Sequence, residues 1–255
     1  MMDNLVRKIE RRNNGNTTVV SGNITEGCIF ENTLLGIGTL IIDKDFISEM
    51  IKIAQGIIVE GNFINLLSRF NSQVNDYFYT RESSEIKREN VYSDNLVIDD
   101  EGMIIGTKIS SLKGKNIALC SEKSLAMYII LKYLYENKII TRSPSLMLSN
   151  LETEINPENI EPHAFLMIDK ESDNYPFKHI LFDVQNPTEV EDQNKNKHLF
   201  TGLYALSDEE KENIINGYKC SPSSLYELLG NYHEVGVKRI YGSKDKNLKQ
   251  NVSFF

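Results

Sequence analysis

Three residue types that can cooperate in nucleophilic catalysis occur in one stretch of this sequence, in the order Cys120, His163 and Asp183. A cysteine thiolate can attack an acyl carbon. An imidazole can take the thiol proton and return it to a leaving group, and a carboxylate can hold that imidazole in one tautomer and orientation. The three residues therefore suggest a thiol-based acyl transfer site, provided that the elements carrying them bring them together.

Cys120 stands just before a run whose apolar residues, among them Leu125, Ile129 and Leu134, recur at helical spacing. This spacing predicts a largely buried helix with the cysteine in its first turn. Unpaired N–H groups and the helix dipole favour a thiolate there and could bind the oxyanion that forms when it attacks a carbonyl. Asn116, the nearest upstream amide, is the candidate for a further oxyanion donor. Because free cysteines are often buried, a packing role for Cys120 stays open.

His163 and Asp183 each belong to an apolar run of strand length, at residues 163–168 and 179–184. The polar residues 169–178 between the runs are typical of a turn, and two strands joined by a turn pair in antiparallel fashion. Such pairing brings the start of the first strand beside the end of the second, so we expect His163 to meet Asp183 across the ladder. An aspartate in an apolar strand is costly to bury without a partner, and an imidazole N–H is a suitable one.

The sequence resembles the core of the transglutaminase-like superfamily over roughly residues 60 to 190. The resemblance depends on three segments: Leu-Cys-Ser-Glu-Lys-Ser-Leu-Ala at 119–126, His-Ala-Phe at 163–165 and Phe-Asp-Val-Gln-Asn-Pro at 182–187. That superfamily shares the papain-type arrangement, in which a helix carrying the cysteine packs on a sheet that supplies His and Asp. The resemblance implies that Cys120 is the nucleophile, that His163 is the general base and acid, and that Asp183 orients the histidine.

The activity implied by this resemblance is acyl transfer or hydrolysis at an amide through an acyl-thioester, as in a peptidase, a deamidase or a transglutaminase. A protein or peptide substrate is expected, with no metal and no organic cofactor. Two alternatives stay open. One is a transglutaminase-like binding protein without turnover, which is compatible with Leu119 at a position where the family commonly has a small residue. The other is acetyl transfer to small amines, although the Arg-Gly-Gly segment usual in arylamine acetyltransferases is absent.

Other residues that could do chemistry have competing interpretations. His179 lies on the same predicted strand face as Asp183 and is an alternative base, but it is at the opposite end of that strand. Cys28 and Cys220 lack a helix start joined to a following His and Asp, so packing is expected for both. Glu122 falls in the first turn of the predicted helix, where compensation of the helix dipole explains it.

The composition limits the class of protein. The chain has 255 residues, a net charge of −8 and 40% hydrophobic residues, which suffices for a sizeable core. Its acidic balance argues against a nucleic-acid-binding face, and no apolar run approaches the roughly 20 residues of a membrane span. The start lacks the apolar stretch of a secretory signal, and three cysteines cannot pair fully, so a cytoplasmic location is expected, with signal-independent export left open. The oligomeric state is not predicted.

The expected fold class is α+β, with a helical N-terminal half packed on an antiparallel sheet in a transglutaminase-like or papain-like core. Residues 1–60 are expected to be an N-terminal segment of the same domain, 61–243 the catalytic core and 244–255 a frayed tail. Residues 1–22 are expected to form a mobile end or a short amphipathic helix, and 28–42 a buried segment with a tight bend.

The remaining local predictions follow from periodicity and turn residues. Helices are expected at 45–55, from 62 onwards and at 223–229, a hairpin around the turn 99–102, and a strand at 198–206. The charged stretch 81–95 has no period and is expected to be a loop. A capping box of Ser207 and Glu210 is expected to start one more helix.

Overall fold

The structure is a computed structural model that describes residues 7–8, 11–14, 17–30, 39–57, 63–79, 88–153, 161–170, 178–225, 232–234 and 239–242. Within these residues the chain has five α-helices and two β-sheets, the larger of them antiparallel. The predicted α+β class is therefore confirmed. The predicted frayed tail at 244–255 lies outside the described residues.

The helices are α1 (Lys44–Gly56), α2 (Phe63–Phe78), α3 (Arg88–Asp94), α4 (Cys120–Glu136) and α5 (Asp208–Ile215), and a 3-10 helix covers Ile109–Leu112. The two predicted helices of the N-terminal half are confirmed as α1 and α2. In α1 the residues Phe46, Met50 and Ala54 are buried at helical spacing, and Asp43 caps the helix by accepting from the Phe46 N–H at 3.2 Å.

The strands are β1 (Arg7–Lys8), β2 (Arg11–Asn14), β3 (Thr17–Val20), β4 (Cys28–Phe30), β5 (Leu40–Ile41), β6 (Leu96–Ile98), β7 (Ile104–Lys108), β8 (Arg142–Thr153), β9 (Glu161–Lys170), β10 (His179–Asp192), β11 (Lys197–Leu206), β12 (Ser223–Ser224), β13 (Tyr232–Glu234) and β14 (Arg239–Tyr241). The larger sheet has the order β12-β11-β10-β9-β8-β3-β2, with β13 paired to β10 and β14 to β8. The smaller sheet has the order β1-β4-β5-β7-β6.

Several local predictions are confirmed. Others are wrong because contacts with distant segments decide the local structure. The hairpin of β6 and β7, the strand β11 and the capping box of α5, in which the Ser207 hydroxyl accepts from the Glu210 N–H, all form as expected. Residues 7–8, 11–14 and 17–20 form strands instead of a mobile end or a helix, and residues 88–94 are helical where a loop was expected. Of the helix expected at 223–229, residues 223–224 pair as a strand, residue 225 is helical, and the rest lies outside the described residues. These segments are short or polar, so pairing and packing with distant segments decide their structure.

The N-terminal segment is built into both sheets. β3 pairs with β8 of the larger sheet, and β1, β4 and β5 form the smaller sheet with β6 and β7. The predicted helical half thus also contains strands. The Thr17 hydroxyl helps to hold β3, because it lies 2.9 Å from the Ser149 hydroxyl and donates to the Ile214 carbonyl at 2.8 Å.

The main core lies between α4 and the larger sheet. α4 packs on β8, β9 and β10, and nearly all of its apolar residues are buried, as its sequence predicts. Along β9, Ala164 and Leu166 belong to this core, whereas Phe165 and Met167 belong to a smaller cluster with Tyr241. The alternation follows from the two-residue period of a strand, which sends successive side chains to opposite faces of the sheet.

β10 leaves regular pairing just after Asp183. More residues of β10 than of β11 lie between the pairs Asp183–Gly202 and Thr188–Phe200, so β10 bulges outward there. Gly202 permits this close approach, because a Cβ atom at Gly202 would lie 2.3 Å from the Asn186 carbonyl oxygen and 2.8 Å from that of Asp183.

We expect Gly202→Ala to lower the free energy of unfolding by about 1–3 kcal/mol, because the added methyl group collides with backbone atoms that cannot move independently. Gly56→Ala is the matched control. A Cβ at Gly56 meets nothing within 4 Å, so that change is expected to stabilise the chain by about 0.5–1 kcal/mol. Urea unfolding of both variants measures the difference, and equal effects of the two substitutions would contradict the proposed role of Gly202.

Candidate active site

His163 and Asp183 form a buried pair at adjacent strands of the larger sheet. His163 Nε2 lies 2.8 Å from Asp183 Oδ2, and the two residues are 5% and 1% exposed. β9 and β10 are antiparallel as predicted, but their ladder ends at the pair Phe182–Leu166. The side chains therefore meet diagonally, beyond the last paired residues, and His163 has Ser149 of β8 as its direct partner.

Donors from two separate segments surround the Asp183 carboxylate. Oδ1 accepts from the backbone N–H groups of Gln185 at 3.1 Å and Asn186 at 2.9 Å, which the bulge of β10 leaves free of the ladder. Oδ2 accepts from the Tyr241 hydroxyl at 3.0 Å and from the Asn186 side-chain amide at 3.2 Å. Arg239, two residues before Tyr241 on β14, donates to the carbonyls of Asn186 and Pro187.

These contacts keep Asp183 ionised. Burial by itself raises the pKa of Asp183, but the charge and hydrogen bond of His163, together with the Asn186 N–H and the guanidinium nearby, outweigh it and lower the pKa. Sequence reasoning did not identify Tyr241 or Arg239 as part of the site. Both lie in a short strand far along the chain, and no local pattern marks them.

The Asp183 carboxylate fixes the tautomer of His163. A carboxylate only accepts hydrogen bonds, so His163 Nε2 carries a proton, and Nδ1 is the ring nitrogen left to exchange a proton with another group. Burial by itself lowers the pKa of His163, but the Asp183 charge and hydrogen bond, with a smaller effect of the neighbouring Cys120 side chain, raise the pKa above its usual value. The imidazolium form is thereby favoured beside the thiol.

Cys120 occupies the first position of α4, as predicted, and is 5% exposed. The Glu122 carboxylate holds the start of this helix, since it accepts from the Leu119 N–H at 2.9 Å and from the Tyr92 hydroxyl. The Ser124 hydroxyl donates to the Ala164 carbonyl at 3.0 Å and ties α4 to β9. Within the described residues the Cys120 N–H has no hydrogen-bond partner, so it is available to an oxyanion.

Asn116 lies in the loop before α4, with an exposed side chain and a left-handed backbone at φ 53°. Its N–H donates to the Phe78 carbonyl at 2.8 Å, which fixes the loop against the end of α2. The amide lines a cavity that is also lined by Ala118 and Lys123. Its role as an oxyanion donor stays a prediction.

His179 is part of a separate cluster at the other end of β10. Its Nδ1 lies 2.6 Å from Asp169 Oδ1, and its Nε2 lies 2.6 Å from Asp208 Oδ1. Both ring nitrogens are therefore occupied by carboxylates, which speaks against His179 as a base for Cys120. Cys28 and Cys220 are buried in the core, and burial, together with the Glu210 charge, raises the pKa of Cys220 to about 12.

No group of three or more His, Cys, Asp and Glu side chains among the described residues is arranged to hold a metal ion. The helices in the described part of the chain also lack the length and apolar composition that spanning a membrane requires.

We expect Asp183→Asn to lower the pKa of His163, because the substitution removes the charge that stabilises the imidazolium while burial still disfavours it. In the native protein a raised folded pKa means that protonation of His163 contributes stability fully below the unfolded pKa of about 6.5. This contribution is lost as the pH rises through the folded pKa. NMR titration of isotope-labelled histidine rings measures the shift directly.

Asp192→Asn is the control for this titration, because Asp192 accepts from His198 at 3.0 Å on the surface. It is expected to leave the titration of His163 unchanged. A His163 titration that is the same in Asp183→Asn and in the native protein would contradict the electrostatic account of the pair.

Comparison with protein families, with curated proteins and with solved structures found no match for this chain. The resemblance to the transglutaminase-like superfamily therefore stays a prediction from the three sequence segments. What the molecule does must be argued from the chemistry of Cys120, His163 and Asp183 and from the contacts that surround them.

Proposed function

We propose that the protein is a thiol enzyme of the transglutaminase-like type that transfers or hydrolyses acyl groups at an amide bond. Cys120 is the nucleophile, and His163 is the general base and acid. Asp183 orients the histidine and favours its protonated form. One observation carries the proposal: an imidazole hydrogen-bonded through Nε2 to an ionised, buried carboxylate is near enough to a cysteine at a helix N-terminus for that cysteine to raise the pKa of the ring. This combination favours a thiolate–imidazolium pair.

In the first half of the reaction the Cys120 thiol gives its proton to His163 Nδ1, and the thiolate sulfur forms a bond to the carbonyl carbon of the substrate amide. The carbonyl oxygen becomes an oxyanion, which the Cys120 N–H is placed to bind. The carbon–nitrogen bond then breaks as His163 returns its proton to the leaving amine. An acyl-thioester on Cys120 remains.

In the second half an acceptor resolves the thioester. His163 takes a proton from water or from an amine, the new carbon–oxygen or carbon–nitrogen bond forms, and the carbon–sulfur bond breaks. The thiolate recovers the proton through His163. Water as the acceptor gives a peptidase or a deamidase, and an amine gives a transglutaminase-type transfer. Throughout the cycle Asp183 stays ionised and holds the ring in place.

A second candidate is a binding protein that has this site without turnover. It is favoured by the low exposure of Cys120, and by Leu119, which is 40% exposed and directly precedes Cys120 in sequence. A bulky side chain there narrows the approach of a substrate backbone to the sulfur. The two candidates differ in the reactivity of Cys120, which is measurable without knowing the substrate.

We expect Cys120 to react with iodoacetamide much faster than Cys28 and Cys220 near neutral pH. The three cysteines are 5%, 3% and 8% exposed, so a difference in rate reports on thiolate content more than on access. His163→Ala should slow the labelling of Cys120 by on the order of 100-fold, because the proton acceptor and counter-charge are removed. Peptide mass spectrometry at timed intervals gives the rate at each cysteine.

His198→Ala is the matched control, since His198 is a surface histidine paired with Asp192, and it should leave all three rates unchanged. His179→Ala tests the alternative base and is expected to leave the Cys120 rate intact in the folded protein. Slow labelling of Cys120 that does not respond to His163→Ala would refute the enzymatic proposal and favour the binding protein.

A further inference from the structure

A cavity of about 290 Å³ opens beside the start of α4. The end of α2, the loop before α4 and the first turn of α4 enclose it. Among the described residues, its polar lining includes Asn75, Asp76, Asn116 and Lys123, and its aromatic lining includes Phe78 and Tyr79. The cavity lies next to Cys120, because Ala118 and Lys123 on either side of the cysteine in sequence both line it.

Lys123 is the cation nearest to the thiol along α4. It follows Cys120 by three residues, so the two side chains occupy the same face of the helix with Cβ atoms about 5–6 Å apart. Burial lowers the pKa of Lys123, and the charges of Glu122 and, to a smaller extent, Cys120 act in the opposite direction.

Among the residues that the structure describes, none forms a salt bridge with Lys123. Within the described residues the side chains of Lys123 and Asp76 have neither a salt bridge nor a hydrogen bond. The carboxylate of Glu122, next in sequence, is taken up by the Leu119 N–H and the Tyr92 hydroxyl. A half-buried ammonium with no paired carboxylate is positioned to bind an anionic group of a ligand.

The two charges of the cavity lie at different depths. Lys123 is half-buried and near Cys120, whereas Asp76 is exposed at the end of α2. A substrate whose reacting carbonyl lies at Cys120 therefore meets a positive charge first and a negative charge only at the rim. The amides of Asn75 and Asn116 can bind carbonyl and N–H groups of a peptide between them.

We propose that this cavity binds the acyl donor, and that Lys123 selects donors with a carboxylate within about one residue of the reacting amide. The inference rests on the proposed function and names the substrate class of the same site. Such donors include a peptide whose C-terminal residue is the leaving group. Lys123 is a specificity residue in this scheme and takes no proton in the reaction.

The test uses two alkylating reagents of nearly the same size, iodoacetate and iodoacetamide, which differ in charge. With Cys120 as the reporter, the ratio of the iodoacetate rate to the iodoacetamide rate measures the local preference for an anion. We expect Lys123→Met to lower this ratio roughly five- to tenfold, since one nearby charge is lost. Lys123→Arg should keep the ratio, and Asp76→Asn should raise it.

Lys115→Met is the matched control, because Lys115 is an exposed lysine of the same loop that does not line the cavity. It should leave the ratio of the two labelling rates within about twofold of the native value, as expected for a screened surface charge. Circular dichroism of each variant verifies that the fold is retained. A second readout uses peptide pairs with a free or an amidated C-terminus, where Lys123→Met should raise KM for the free acid only.

The failures of the two proposals are distinguishable. Fast labelling of Cys120 that depends on His163, with a ratio insensitive to Lys123→Met, would overturn the substrate inference and leave the thiol enzyme standing. Labelling that is slow with both reagents and does not respond to His163→Ala would overturn both the substrate inference and the proposed thiol enzyme. A ratio that falls equally in Lys123→Met and Lys115→Met would show a general surface field, and it too would overturn the role of the cavity.

Discussion

The buried hydrogen bond between His163 and Asp183 imposes the strongest structural constraint on this fold. An ionised carboxylate that is 1% exposed is stable only if its lone pairs are filled and its charge is balanced. The protein meets this demand with four hydrogen-bond donors besides the imidazole and with a guanidinium near the bulge. The architecture around the C-terminal strands is arranged to supply these groups.

The need for hydrogen-bond donors to Asp183 explains why β10 is irregular. The bulge after Asp183 turns two backbone N–H groups away from the ladder and toward the carboxylate, and Gly202 on β11 gives the bulge room. β14 then reaches the site by pairing with β8, which brings Tyr241 to the carboxylate and Arg239 to the bulge carbonyls. A regular β10 would not offer Asp183 these backbone donors, because its N–H groups would be used between strands.

The thiol depends on an equally specific arrangement at α4. Buried Glu122 joins the N-terminus of α4 to Tyr92 of α3, and α3 in turn contacts β7 of the smaller sheet through a hydrogen bond from the Thr107 hydroxyl to the Tyr92 carbonyl. The smaller sheet thus supports the helix start that carries the cysteine, while the larger sheet carries the histidine and aspartate. The cavity with Lys123 lies where α2 meets this helix start, so the elements that hold the helix start also line the cavity.

Local sequence determined the helices α1, α2 and α4, the β9–β10 hairpin and the order of Cys120, His163 and Asp183, because periodicity, caps and turn residues act over a few neighbouring residues. Only the tertiary structure decided that residues 7–8, 11–14 and 17–20 form strands, that residues 88–94 are helical, and that Tyr241 and Arg239 lie around the Asp183 carboxylate and its bulge. The contacts that settle these points join residues far apart in sequence, such as Thr17 with Ser149 and Tyr241 with Asp183. A buried polar group takes whichever partner the packed chain brings to it, and no local pattern encodes that partner.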